Sequence, residues 1–116
     1  MGRRNQRVAE GLRAELANLL LFEVKDPRVR LATVTAVELN SDMSRARVRV
    51  SVMGEDEDRE EAVAALRHAA GFLRTQIAKR LRLRQSPELL FELDRGAEYS
   101  QHISDLLEQL HVDDDS

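Results

Sequence analysis

The sequence predicts an α+β domain in which helices cover one face of a three-stranded sheet. Three observations carry that reading. Residues 5–22 place Val8, Leu12, Leu16, Leu19 and Leu20 on one side of a helix, an apolar stripe of helical period. Residues 45–52 alternate with period two, Ala46, Val48, Val50 and Val52 against Arg45, Arg47, Arg49 and Ser51, so one face is core and the other wet. A long helical stretch then leads to a third strand, Leu89–Asp94, with Leu89, Phe91 and Leu93 inward. The 116 residues suit one domain, read as residues 1–110, with an acidic tail at 111–116 expected to be disordered.

The first helix carries Arg3, Arg4, Arg7 and Arg13 at or near its start, where positive charge opposes the helix dipole. Gly11 inside it costs about 1 kcal/mol relative to Ala, which points to close packing there. Lys25-Asp26-Pro27-Arg28 ends the helix, because Pro27 forbids continuation and pushes Asp26 toward extended geometry. A plain turn accounts for Asp26 and Pro27 but not for the flanking Lys25, Arg28 and Arg30. Leu31–Leu39 is rich in β-branched residues and reads as a strand. Both of its alternating sets are apolar, which suits a central strand and leaves the inward phase open. Asn40-Ser41-Asp42 is a turn, and so short a connection makes the two strands an antiparallel hairpin. Arg45, Arg47 and Arg49 stand roughly 6–7 Å apart along one strand, close to the phosphate spacing of a nucleic acid. An ordinary solvated sheet face explains them equally well.

Gly54–Glu61 is an acidic run into a helix start, where acidic groups favour the dipole. Ala62, Val63, Leu66 and Ala69 point inward; after an interruption at Ala69-Ala70-Gly71 the stripe resumes with Phe72, Leu73, Ile77 and Leu81. From Ala62 to Pro87 there are six basic residues (Arg67, Arg74, Lys79, Arg80, Arg82, Arg84) and no acidic one. The net charge of −3 therefore hides basic and acidic blocks, and partners are decided by the local patch. A helix, a small-residue break and a basic second helix form a surface suited to a phosphate backbone. Ser86-Pro87-Glu88 is a turn before the third strand, and residues 98–111 read as a last amphipathic helix.

The composition narrows the function classes. Without Cys there is no disulfide, thiol nucleophile or thiolate metal site, which fits a reducing cytoplasm. No apolar run approaches the ~20 residues of a membrane span, and no membrane partner is expected. The basic N-terminus runs into an amphipathic pattern with Glu10 and Glu15 and is not read as a signal peptide. His68, His102 and His111 are scattered, with no metal-ligand spacing. Phosphate-binding loops and nucleophile elbows are missing. The expectation is a non-enzyme with no cofactor, no metal and no small-molecule substrate. Phe22, Phe72 and Phe91 sit at core phase, so RNA would be held through phosphates and shape rather than stacking.

Over residues 3–110 the chain resembles bacterial ribosome-binding factor A. The resemblance rests on Arg7-Val8, Lys25-Asp26-Pro27-Arg28, Val34-Thr35-Ala36-Val37, Asp42 and Ala46. It continues through Leu66–Arg74 with its Ala-x-Gly break, Arg84, Pro87-Glu88-Leu89, Phe91 and Asp94. It implies a K-homology-like fold of type II, in the order α-β-β-α-(kink)-α-β-α. In this family an interrupted helix, here Ala69, Ala70 and Gly71, replaces the Gly-x-x-Gly loop that clamps a nucleic-acid backbone. The implied function is non-catalytic: binding free or immature 30S small ribosomal subunits and 16S rRNA, assisting late maturation and 5′-end processing, and supporting growth in the cold. The implied RNA face is Arg67, Arg74, Lys79, Arg80, Arg82 and Arg84, with Arg3, Arg4, Arg7, Arg28, Arg45 and Arg47 as secondary candidates. A monomer is expected. The alternatives are a general RNA chaperone or ribosome-associated stress factor, and a protein–protein module with an acidic partner. Reversing Arg74 and Arg80 to Glu is expected to weaken binding without unfolding, and Gly71→Val to disturb the bend.

Overall fold

The computed structural model describes residues 3–96. Helix α1 (Arg3–Phe22) buries Leu12, Leu16, Leu19 and Leu20, the stripe read from the sequence, with Val8 packed at the core's margin. Gly11 lies under Leu81, where an added Cβ would stand 3.3 Å from Leu81 Cδ2, so the close approach is real. After α1 the chain makes a short 3-10 turn, Pro27–Val29, that seats Val29 in the core. Asp26 caps that turn from extended geometry (φ −83°, ψ 119°), accepting from the Arg28 backbone N–H at 2.9 Å. The Arg28 guanidinium doubles back onto the same carboxylate, Nη2 donating at 2.7 Å, which drops the Asp26 pKa from 3.8 to about 2.

Strands β1 (Ala32–Leu39) and β2 (Arg45–Val52) form the expected antiparallel hairpin, and β3 (Glu88–Leu93) pairs with β2 in parallel. The order β1-β2-β3 makes β2 the central strand and β1 an edge. This corrects the expectation of a central β1, and the register supplies the reason. A bulge between Val34 and Ala36 switches the inward phase: Val34 faces Val50 before it, while Val37 and Leu39 face Val48 and Ala46 after it. Both alternating sets are apolar because each is buried over half of the strand. Thr35, at the bulge, donates its hydroxyl to Asp94 Oδ2 at 2.6 Å and so reaches across β2 to the end of β3.

Helix α2 (Asp56–His68) starts with Asp56, Glu57 and Asp58 and ends with Arg67 and His68, both favourable to its dipole. Asp58 accepts from the Glu55 N–H at 2.8 Å. Gly54 (φ 125°) is required here, since a Cβ would lie 2.6 Å from the same carboxylate. Helix α3 (Ala70–Arg80) follows at once, and the α2–α3 pair is the crossover that a parallel β2–β3 pairing needs. Ala62, Val63, Ala65 and Leu66 of α2 and Leu73 and Ile77 of α3 close the core over Ala46, Val48, Val50, Leu89 and Phe91.

The helix read over residues 98–111, the domain limit at 110 and the acidic tail at 111–116 lie outside the described residues. Among those residues, no helix is long and apolar enough to cross a membrane.

Candidate nucleic-acid interface

The basic residues read as one face divide into groups once their neighbours are in place. On the sheet's outer face, Arg45, Arg47 and Arg49 of β2 are flanked by Glu38 on β1 and by Glu88 and Glu92 on β3. Arg47 meets Glu92 at 2.8 Å and Glu38 at 3.9 Å; Arg49 meets Glu38 at 3.5 Å and Glu92 at 3.4 Å; Arg45 meets Glu88 at 3.7 Å. A phosphate approaching Arg45 or Arg47 must compete with these carboxylates. Arg28 is clasped by Asp26. Arg80 turns inward to α1, 3.3 Å from Glu15 and 3.4 Å from Glu23. Arg80→Glu would set three carboxylates together, so its reversal would cost stability as well as remove a cation.

Arg74 is also structural in part. It is half-buried, Nη2 donates to the Ser86 carbonyl at 3.3 Å, and its buried Nε has no hydrogen-bond partner. Reversing it would place a carboxylate against a carbonyl and likewise cost stability. Arg67 donates to the Phe91 carbonyl at 3.2 Å and lies on the β3 side of α2.

A second group converges. Arg4 from α1, Arg74 from α3 and Arg84 from the α3–β3 connection line one pocket beside the β1–β2 turn. Among the described residues none of the three has a carboxylate within ion-pair distance. Arg3 and Arg7 belong to the same end of α1 and are exposed, as are Lys79 and Arg82 at the end of α3. Arg82 sits at φ 52°, a left-handed conformation usually left to glycine. The Leu83 N–H bonds back to the Ala78 carbonyl at 2.9 Å and the Arg82 N–H to the Lys79 carbonyl at 3.4 Å, the Schellman closure of a helix end. An arginine at such a position keeps charge at the expense of backbone strain.

The helix break is at Ala69 (φ −84°, ψ −1°), which ends α2 and starts α3. Gly71 is in the first turn of α3 without a positive φ, and no atom of the described residues lies within 4 Å of where its Cβ would be. The bend therefore does not need the backbone freedom of glycine; what Gly71 leaves is open space on the surface. Ala70 is partly covered by the core. Ala69 has no side chain to cap α3, and the first turn of α3 holds no acid.

Two of the three Phe side chains are not in the core. Phe91 is buried, but Phe22 is 71% and Phe72 45% exposed. The stripe restarts at the break, where Leu73 and Ile77 take the inward phase and leave Phe72 about 100° away, beside Gly71. Once Leu73 and Ile77 are seen to point inward, helical spacing puts Phe72 outside. A larger groove of about 510 Å³, between the end of α1 and β1 and lined in part by Leu21 and Phe22, lies apart from the arginine pocket.

Residues 4–107 match the family model of ribosome-binding factor A. The chain belongs to the ribosome-binding factor A family. Ribosome-binding factor A of Desulforamulus reducens is 39% identical over 96% of this chain and 92% of its own. The crystal structure of ribosome-binding factor A from Thermus thermophilus aligns with a TM-score of 0.70 at 34% identity, over 79% of this chain and 98% of that one. A homology model of Thermus thermophilus ribosome binding factor A, fitted into a cryo-EM map of a 30S–RbfA complex, aligns with a TM-score of 0.56 at 38% identity, over 72% of this chain and 92% of that one. The fold is K-homology-like, with described elements in the order α-β-β-α-α-β.

Proposed function

We propose that this chain is a non-enzymatic assembly factor that binds free or immature 30S subunits through 16S rRNA in the cytoplasm and assists late maturation and 5′-end processing. The observation that carries the reading is the convergence of Arg4, Arg74 and Arg84, without carboxylate partners among the described residues, at one end of a fold whose relative has been fitted into a 30S complex. Arg3 and Arg7 on α1 and Lys79 and Arg82 at the end of α3 are exposed and would add further phosphate contacts. Arg67, Gly71 and Phe72 form a second contact around the uncapped start of α3, where an RNA backbone approaches closely and a base stacks on the ring. Arg28, Arg45, Arg47 and Arg80 contribute less, because carboxylates already neutralise them. Binding energy spent on one arrangement of the immature RNA shifts its population toward that arrangement, with no bond chemistry.

Co-sedimentation with subunits from cell extract, repeated across salt concentrations, tests this. Enrichment with free or immature small subunits should fall as salt rises, and each lost phosphate contact should reduce the log–log slope by about 1. Gly71→Ala should fold as well as the parent, given the open space, yet bind less tightly. A protein that stays at the top of the gradient at low salt refutes the reading.

A further inference from the structure

We propose that the pocket of Arg4, Arg74 and Arg84 takes one nucleotide unit, its phosphate on the guanidiniums and its ribose and base against an apolar floor. This deepens the RNA-binding reading and rests on it only for where the nucleotide comes from. The pocket measures about 310 Å³, at the lower end of the roughly 300–1,000 Å³ of small-ligand sites, which admits a single nucleotide. Its floor is Val8, Leu83 and Pro87, and Asp42 is its one acid among the described residues. Asp42 Oδ1 accepts from the Ser44 N–H at 3.0 Å and hydroxyl at 2.6 Å, and three guanidiniums against that one carboxylate keep the lining cationic overall.

Two further observations bear on the site. Arg74 is held in place by Nη2 donating to the Ser86 carbonyl, and with its Nε buried and no carboxylate beside it among the described residues its charge is left for a ligand. The walls are also held before any ligand arrives. Asn5 donates to the Asn40 and Ser41 carbonyls at 3.2 and 3.4 Å, tying α1 to the β1–β2 turn. The Glu88 N–H bonds to the Ser44 carbonyl at 2.8 Å, and the Schellman closure at Arg82 fixes the run into Leu83. Preorganised walls reduce the entropy lost on binding. Among the described residues no aromatic one lines the pocket, so bases are distinguished weakly, by contact with guanidinium planes. Asp42 can accept from ribose hydroxyls, which favours ribonucleotides over deoxyribonucleotides.

The shared chemistry is a phosphorylated ribonucleoside, either free or turned out from an RNA strand. The test is an NMR titration of the full chain with adenosine 5′-monophosphate, its deoxy analogue, adenosine and inorganic phosphate. The monophosphate should shift the amides of Ser44, Leu83 and Gln85, with adenosine and phosphate at least tenfold weaker and the deoxy analogue several-fold weaker. Arg4→Glu and Arg84→Glu should each weaken it at least tenfold, and Arg13→Glu, on α1 outside the pocket, should not. Absence of those shifts, or shifts indifferent to Arg84→Glu, overturns the proposal. An oligoribonucleotide that displaces the monophosphate identifies the strand as the source; one that binds without displacing it identifies the free nucleotide. Monophosphate binding with failed subunit co-sedimentation would keep the pocket and remove the assembly role, and the converse would remove the pocket alone.

Discussion

Arg82→Gly should make the protein more stable while weakening its hold on RNA. Arg82 is held at φ 52° by the Schellman closure, and a left-handed residue with a Cβ costs roughly 1–2 kcal/mol. Glycine removes that strain, but it widens the unfolded ensemble by about 0.4–1 kcal/mol. The net gain is about 0.5–1 kcal/mol, or roughly 2–5 °C in Tm for a chain of this size. Arg82→Ala is the matched comparison, because it removes the same charge and keeps the strain. Urea and thermal unfolding of both variants at one ionic strength measure the difference between them, which isolates the backbone. In the subunit assay both should lose the same single phosphate contact, lowering the salt slope by about 1. A glycine variant no more stable than the alanine variant refutes the strain argument. Equal subunit binding by all three proteins refutes a contact at Arg82.

Other perturbations follow from the same structure. Arg80→Ala should lower stability by roughly 0.5–1.5 kcal/mol in urea unfolding, since it removes ion pairs to both Glu15 and Glu23. Leu73→Ala, at a fully buried position in α3, should cost about 2–5 kcal/mol, read from the same transition. Asp26→Asn keeps a good capping residue but loses the Arg28 guanidinium clasp. The folded pKa of Asp26 is depressed, so its contribution is complete above the ordinary value of 3.8 and is lost as pH falls through about 2. The stability gap between parent and variant should therefore be constant at neutral pH and close across that window; a gap that persists below it would refute the assignment.

The sequence alone determined the parts of this protein that a single element records. Apolar spacing marked the buried side of α1, and strict alternation marked β2 from Arg45 to Val52, because burial of one face imposes its own period. The break near Ala69 was legible as a run of small residues. Only the tertiary structure decided what depends on neighbours. The bulge at Thr35 turns β1 over midway, so its alternation could not identify it as an edge strand. The restart of helical phase at Ala69 put Phe72 outside. Charge was the least legible, since a run of arginines shows how many cations there are and not which carboxylates face them. Strand pairing placed Glu38, Glu88 and Glu92 against Arg45, Arg47 and Arg49, and packing of α3 on α1 placed Glu15 and Glu23 against Arg80. The same folding brought Arg4 to Arg74 and Arg84, distant in the chain, at one pocket. Electrostatic attraction acts through space, so a cation's availability to RNA is set by the side chains the fold places around it.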